Sequence, residues 1–314
     1  MGPATGTGHA KLILVGEHWV LDGALALAVA VPGWRTQVAV HGVAEPGVSV
    51  AIRWPDCLEH VDLALSHKMV ELACAQADLH PATLEVASSV PVRRRLGSSA
   101  ALAVALVRAL AQAAGHVLDD QTLLARARQL EDCVHGTSSG LDPAAASADS
   151  GAVLFGQGEI VLRVPRVASA LASAGWVLAD TGGGVATSVA IERARACRTA
   201  MPEATYKRWR LTVADSAVRA AHALEIGDFE DLAASLALAG QALEPLDICT
   251  EPMATAMQAL RDAGAAAAKP TGAGMGGVVV GLANSAACAD RMAQAVAAAG
   301  FGVHRFSLAG HGVN

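Results

Sequence analysis

A glycine–serine turn followed by a long apolar segment is the clearest place where this chain could do chemistry. Gly97, Ser98 and Ser99 precede residues 100–114, which are apolar on nearly every face of a helix. The first turn of a helix presents unpaired N–H groups and a positive dipole end, and small residues let an anion approach them. The turn therefore predicts a phosphate site, although a buried helix with a serine N-cap and Gly115 as its left-handed stop explains the same residues.

Three charged residues elsewhere could supply the other groups that phosphoryl transfer requires, which are metal ligands and a guide for the acceptor's proton. Glu131 falls beside the apolar stripe of a predicted helix, where it either needs a cation or lies partly exposed. Asp142 precedes Pro143, so it also suits a helix N-cap with proline at the first position. The chain has 4 lysines and 19 arginines, so lysine is an unusual choice at position 11. Lys11 either provides a compact ammonium group that contacts a phosphate or hydroxyl oxygen, or is a surface lysine flanking a strand.

A glycine-rich segment near the end of the chain, GAGMGG at 272–277, matches the GxGxxG pattern of dinucleotide-binding folds. In those folds the glycines follow a strand and open a helix. Residues 263–269 predict the end of a helix before the glycines, and residues 278–283 predict a strand after them. This order disfavours dinucleotide binding, and the absence of GxxxxGK[ST] from the sequence excludes a P-loop kinase.

Hydrophobic periodicity predicts the elements that must position these residues. A helix running from an N-cap at Asp119 or Asp120 to about Val134 carries Glu131. A long helical stretch rich in arginine and alanine follows residues 181–188. The predicted strands are residues 12–15, 25–31, 83–90, 176–180 and, at a sheet edge, 302–308.

The order of these segments resembles that of the GHMP small-molecule kinases. The segments concerned are KLILVGEHWVLDG from Lys11, the Gly97 turn, HGTSSGLD from His135 and KPTGAGMGG from Lys269. The resemblance runs from about Lys11 to Gly277 and is greatest with members that phosphorylate the primary hydroxyl of mevalonate. It implies an α+β fold of two lobes, an N-terminal ribosomal-protein-S5-domain-2-like lobe at 1–168 and a C-terminal ferredoxin-like lobe at 169–314, with the active site between them.

The resemblance also implies a role for particular residues. Asp142 would be the catalytic base, with Lys11 beside it, and Ser99 and Glu131 would hold the metal, Glu131 standing at the family's spacing of eleven residues before Asp142. The implied nucleotide contacts are Pro91, Arg95, Leu96, Gly97, Ser98, Ser99 and Ala100. The implied acceptor contacts are Lys11, Glu17, His18, Asp142, Thr187, Gly272, Ala273 and Gly274. The implied cofactors are ATP and Mg²⁺, the implied acceptor is mevalonate, and the implied assembly is a homodimer.

Two departures from the family pattern leave alternatives open. Arg93 to Arg95 stand where family members usually have small residues, and they either add phosphate contacts or, as we prefer, form a solvated basic loop. Met275 should narrow the space above the last glycine loop. The alternative functions are a kinase of phosphomevalonate, another GHMP kinase, a non-catalytic ligand sensor and a nicotinamide-dependent oxidoreductase. The retention of Lys11, Ser99, Glu131 and Asp142 argues against the sensor.

Composition sets the remaining bounds. The chain has 314 residues, of which 53% are apolar and 3% aromatic, so we expect a core of alanine, valine and leucine. The formal charge of −6 argues against a nucleic-acid surface. No apolar run approaches the roughly 18 residues of a membrane span, and the N-terminus does not resemble a secretory signal, so we expect a cytoplasmic protein. Six scattered cysteines, Cys57, Cys74, Cys133, Cys197, Cys249 and Cys288, predict buried reduced thiols.

Overall fold

The chain forms two compact units in a computed structural model that describes residues 2–43, 51–53, 63–91, 94–136, 138–171 and 174–308. Cys57, Arg93 and Thr137 lie outside the described residues. The first unit comprises Met1–Lys11, Trp34–Val92 and Leu96–Asp149, and the second comprises Leu12–Gly33, Arg93–Arg95 and Ser150–Asn314. These units are discontinuous in sequence, so they differ from the contiguous lobes 1–168 and 169–314, which stay a prediction.

The first unit packs helices against strands. Residues Thr36–Val43 of β2 (Ala26–Val43) pair antiparallel with β4 (Pro81–Ser88), and β3 (Ala51–Arg53) pairs parallel with β4. The helices are α1 (Leu63–Ala77), α2 (Ser98–Ala113), α3 (Asp120–His135) and α4 (Leu141–Ala146). Strand β1 (Ala4–Val15) packs directly on α2, since a Cβ at Gly8 would lie 2.1 Å from the carbonyl oxygen of Ala101.

Helix α2 is buried around almost its whole circumference, as its composition predicts. Its buried residues run from Ala100 to Val107 and from Ala109 to Ala111, and all of them except Ala101 and Ala111 join one core cluster with α1, α3 and β4. In α3, the predicted N-cap is confirmed at Asp119, whose carboxylate accepts a hydrogen bond of 2.7 Å from the backbone N–H of Thr122. Local sequence signals therefore locate α2 and α3, two of the helices of this unit that carry site residues.

The second unit contains an antiparallel sheet and five further α-helices among its described residues. The strands are β5 (Ala152–Gly156), β6 (Glu159–Val164), β7 (Gly175–Asp180), β8 (Ala267–Pro270), β9 (Val278–Ala283) and β10 (Gly302–Phe306). The last four form a sheet in the order β10-β7-β9-β8, while β5 pairs with Ala26–Val29 of β2 and with β6. The helices are α5 (Thr187–Ala200), α6 (Glu203–Ile226), α7 (Phe229–Leu243), α8 (Glu251–Asp262) and α9 (Ala286–Ala298). The α+β prediction is confirmed, as is an edge strand near the end of the chain.

One predicted element is wrong. Residues 263–269 do not end a helix, because α8 stops at Asp262 and the chain then enters β8. Pairing with β9 outweighs the helix propensity of the alanines. The glycine-rich loop therefore joins two antiparallel strands, and the absence of a helix immediately after it still disfavours a dinucleotide-binding turn.

The structure also bears on the predictions about membrane-spanning helices and buried cysteines. Within the described ranges no helix is both long and apolar enough to cross a membrane. Cys74 and Cys288 are buried free thiols, and Cys197 is a partly buried one. Cys133 and Cys249 are exposed, so the prediction of buried thiols is wrong for these two residues, which lie at element ends where one side faces solvent.

Candidate active site

The phosphate turn of the first unit is built around Gly97. This residue is the N-cap of α2 with a left-handed φ of 77°, so the predicted serine N-cap is wrong. Gly115 at the other end of the helix is left-handed as predicted, with a φ of 73°. A Cβ at Gly97 would lie 2.7 Å from Cγ of Lys11, so only glycine lets the two segments approach this closely. No described side chain caps the N-terminus of α2, which leaves it suited to an anion.

Lys11 and Asp142 form an ion pair beside this turn. Nζ of Lys11 lies 3.0 Å from Oδ2 of Asp142, and the backbone N–H of Lys11 donates to the carbonyl of Leu96 at 2.9 Å. The lysine side chain is 4% exposed and the aspartate side chain 37% exposed. A buried ammonium therefore holds a carboxylate that is still open to a reactant.

Asp142 is held by a short helix in a way that differs from the prediction. Helix α4 begins at Leu141 with Gly140 as its left-handed N-cap, so Asp142 lies in the first turn and is not the cap. The positive φ of Gly140, 90°, starts the helix earlier than the aspartate–proline pattern suggests. The first turn still favours a carboxylate, because the helix dipole is positive there.

Glu131 is buried next to these groups. The residue is 3% exposed, beside the stripe of Ala127 and Leu130 on α3, so the partly exposed alternative is wrong. Burial, with a smaller contribution from the negative charge of Asp142, raises the pKa of Glu131 to about 7, although a hydrogen bond from the Ser99 side chain opposes the rise. Within the described part of the chain its Oε1 atom is buried without a hydrogen-bond partner.

This environment fits a magnesium ion. A buried carboxylate oxygen without a protein partner, beside a serine hydroxyl, offers two hard oxygen ligands. The described residues contain no group of three or more histidine, cysteine, aspartate or glutamate side chains arranged around a metal. Magnesium commonly takes one or two carboxylates and fills its remaining positions with water and phosphate oxygens.

In the second unit, Glu17 and His18 form a loop after β1. Glu17 is 2% exposed and pairs with the buried Lys269, so its carboxylate is neutralised inside the protein. Nε2 of His18 lies 2.9 Å from the carbonyl oxygen of Ala273. Burial lowers the pKa of His18 to about 4, so the ring is neutral at physiological pH. Its Nδ1 atom is buried and has no hydrogen-bond partner in the described ranges.

The segment from Lys269 to Ala273 is held against the end of β1 and the loop after it by three contacts. Besides the Glu17–Lys269 and His18–Ala273 contacts, Oγ1 of Thr271 donates to the carbonyl of Ile13 at 2.9 Å. Sequence reasoning did not identify Thr271, and it noted Lys269 only as a rare lysine that opens a motif. The scarcity of lysine could therefore have identified Lys269 from the sequence, whereas no local sequence feature distinguishes Thr271 from other threonines.

Arg94 and Arg95 are engaged with the second unit's own loops. Nε of Arg94 lies 2.7 Å from Oδ2 of Asp180. Nη2 of Arg95 donates to the carbonyl of Val185 at 2.8 Å, and its Nη1 donates to Oγ1 of Thr187 at 3.3 Å. The preferred interpretation of a solvated basic loop is therefore wrong for Arg94 and Arg95, because acceptors distant in sequence take up both guanidinium groups.

The predicted site residues thus fall into two groups. In the first unit, the structure places together Lys11, Leu96, Gly97, Ser98, Ser99, Ala100, Glu131 and Asp142, and Pro91 is half-buried in the same unit. In the second unit, contacts join Glu17, His18 and Gly272–Gly274 through the glycine-rich loop, while Arg95 contacts Thr187. The side chain of Arg95 also lies against the glycine-rich loop, because a Cβ at Gly272 would be 3.1 Å from the Cβ of Arg95.

Comparison with known proteins agrees with this chemistry. Residues 64–151 match the family model of the GHMP kinases N terminal domain, and residues 220–301 match that of the GHMP kinases C terminal. A mevalonate kinase of Aeropyrum pernix is 32% identical over 289 residues, covering 87% of this chain and 86% of that protein. A mevalonate kinase of Pyrococcus furiosus is 27% identical over 300 residues, covering 87% of each.

Solved structures show the same fold. A mevalonate kinase from methicillin-resistant Staphylococcus aureus MRSA252 is 25% identical with a TM-score of 0.68, covering 99% of this chain and 100% of that one. The structure of L. major mevalonate kinase in complex with R-mevalonate is 23% identical with a TM-score of 0.80, covering 96% and 95%. Fold and site together define a kinase that phosphorylates an alcohol. The chain belongs to the GHMP kinases, a family that uses ATP as phosphoryl donor.

Proposed function

We propose that this kinase transfers the γ-phosphoryl group of ATP to the primary hydroxyl of mevalonate, with Mg²⁺ as its metal. The observation that carries the mechanism is the 3.0 Å pair of Lys11 and Asp142 beside the uncapped start of α2. The mevalonate kinases that resemble this chain over 87% of its length support the choice of acceptor.

In this proposal Asp142 orients the acceptor hydroxyl and takes its proton. Phosphoryl transfer depends mainly on positioning and charge, so the carboxylate accepts the proton late, as the bond to phosphorus forms. Lys11 is nearly inaccessible to solvent, so its charge is little screened and fixes the position of the Asp142 carboxylate. The same ammonium stabilises negative charge on the attacking oxygen.

The nucleotide and metal sites follow from the start of α2. The N–H groups at Gly97, Ser98, Ser99 and Ala100 would bind phosphate oxygens, with Pro91, Arg95 and Leu96 flanking them. Ser99 and Glu131 would hold magnesium through their side-chain oxygens. When bound, this ion neutralises charge on the phosphates.

The second unit would bind the acceptor. His18 offers a neutral ring whose Nδ1 can accept a hydrogen bond, and Thr187 and Gly272–Gly274 contribute a hydroxyl and backbone groups. Because the carboxylate of Glu17 is neutralised by Lys269, we assign Glu17 to holding this loop in place. A kinase of phosphomevalonate would need a basic cluster for the second anionic group, and the guanidinium of Arg94 is already paired with Asp180.

Release of ADP from Mg-ATP tests the proposal. Mevalonate, phosphomevalonate, homoserine and galactose are offered singly to the wild type, to Asp142→Asn and to Asp78→Asn, which makes the same charge change at an exposed turn of the first unit. We expect turnover with mevalonate alone, lost in Asp142→Asn and kept in Asp78→Asn. Turnover with another acceptor would overturn the substrate, and wild-type turnover in Asp142→Asn would overturn the base. The homodimer that the family resemblance implies is tested by light scattering coupled to size-exclusion chromatography.

A further inference from the structure

A cavity of about 330 Å³ in the second unit is not used by the mechanism above. It lies at the corner between α5 and α6, with Arg195, Arg198 and Thr199 on the α5 side and Glu203 and Tyr206 on the first turn of α6. Its volume is at the lower end of the range of roughly 300–1,000 Å³ that is typical of small-molecule sites. The cavity is therefore large enough for a compact metabolite or its polar group.

The buried side chain of Arg198 is the strongest indication of a ligand. Arg198 is 6% exposed, and its Nε lies 2.6 Å from Oδ2 of Asp22 at the edge of the same cavity. Its Nη1 atom is buried, and among the described residues no acceptor hydrogen-bonds to it. An unsatisfied donor on a buried cation is costly, and a shift of the Arg198 side chain toward the cavity would let an anion there accept a hydrogen bond from it.

The start of α6 is a second, independent indication. This helix has 24 residues, and Pro202 at its N-cap position provides no side-chain hydrogen bond. Its first N–H groups therefore lack a capping side chain beside the cavity, at the positive end of a long helix dipole. Helix N-termini and arginine guanidinium groups are both well suited to bind phosphate.

The charges around the cavity also favour an anion. The carboxylate of Asp22 is paired with Arg198, and that of Glu203 is paired with Lys207 four residues further along α6. Arg195 is exposed, and one turn of α5 separates it from Arg198, so both lie on the same face of the helix. Neither the Asp22–Arg198 pair nor the Glu203–Lys207 pair neutralises the positive charge of Arg195.

We propose that this cavity binds the phosphate group of a small metabolite through Arg195, Arg198 and the first N–H groups of α6. The hydroxyl groups of Thr199 and Tyr206 line the same cavity and are further donors. Tyr206 packs against Trp19 at a ring distance of 5.8 Å, which fixes the position of its ring. The proposal does not depend on the acceptor chosen by the kinase.

Calorimetric titration with inorganic pyrophosphate tests this site, first without ADP and then with ADP at saturating concentration to fill the nucleotide site. We expect the wild type to bind and Arg195→Gln to bind about tenfold more weakly, since one charge-assisted hydrogen bond is worth about that factor. The double variant Asp22→Asn with Arg198→Gln, which removes the pair without leaving a lone charge, should lose binding. Arg193→Gln, which removes an exposed arginine of the same helix that pairs with Asp247, should bind like the wild type.

Four results would overturn the proposal. They are no binding by the wild type, binding that ADP abolishes, binding that mevalonate displaces, and equal binding by the wild type and Arg195→Gln. The second would assign pyrophosphate to the nucleotide site, and the third would assign the cavity to the acceptor. Because the readout is binding and not turnover, an error in the proposed kinase substrate would leave this test unaffected.

Discussion

Replacing Lys269 with methionine should destabilise the protein far more than the same replacement at Lys207. Each lysine pairs with a glutamate, but their surroundings are opposite. The side chains of Lys269 and Glu17 are both 1% exposed, whereas those of Lys207 and Glu203 are 67% and 78% exposed. Burial lowers the pKa of Lys269, and the charge of Glu17 opposes that shift, so each charge depends on the other.

The expected magnitudes differ by about an order of magnitude. Removing one partner of a buried ion pair leaves an uncompensated charge and costs about 3–5 kcal/mol. A surface pair four residues apart on a helix contributes about 0.3–0.5 kcal/mol. Since a whole protein is stable by about 5–15 kcal/mol, Lys269→Met should remove a large fraction of the free energy of unfolding.

Urea unfolding followed by tryptophan fluorescence measures these free energies. The set comprises the wild type, Lys207→Met, Lys269→Met, Glu17→Leu and the double variant Glu17→Leu with Lys269→Met. Because replacing both partners of a buried pair with apolar residues is often neutral, the double variant should be more stable than either single variant of the pair. Equal losses in Lys269→Met and Lys207→Met, or a double loss equal to the sum of the single losses, would refute the reasoning.

Three further variants test the site. Glu131→Gln should raise the magnesium concentration needed for half-maximal turnover, and an unchanged magnesium titration would remove Glu131 from the metal site. The pKa of His18 is about 4 in the folded protein against an ordinary value of 6.5, so the unfolded chain binds a proton at a higher pH than the folded protein does. The free energy of unfolding should therefore fall by about 3 kcal/mol as the pH drops from 6.5 to 4. His18→Asn should lose this dependence in urea unfolding at each pH, and an unchanged profile would contradict it. Gly97→Ala and Gly115→Ala should each lower the free energy of unfolding by about 1–2 kcal/mol, because both glycines have left-handed backbone conformations. Only the new Cβ at Gly97 would displace Lys11, so only Gly97→Ala should lose turnover. Equal activity of the two variants would contradict the role of that contact.

Local sequence patterns were sufficient to locate α2 and α3, which carry part of the first unit's site, although they did not identify Gly97 and Gly140 as the N-caps of α2 and α4. The apolar length of α2, the left-handed Gly115 and the N-cap at Asp119 each depend on residues within a few positions of one another. The place of Glu131 beside the stripe of α3 follows from the same helical period. Such features are predictable because neighbouring residues alone set their energies.

Only the tertiary structure decided the features whose partners are distant in sequence. Residues 267–270 became a strand because β9 offered an antiparallel partner, against their own helix propensity. Arg95 donates hydrogen bonds to Val185 and Thr187, and Glu17 pairs with Lys269, which is 252 residues away in the sequence. Motif order alone indicated a kinase, but it could not show that Glu131 is fully buried or that Glu17 is neutralised. Burial and charge pairing are properties of the packed chain, since they depend on which surfaces meet after folding.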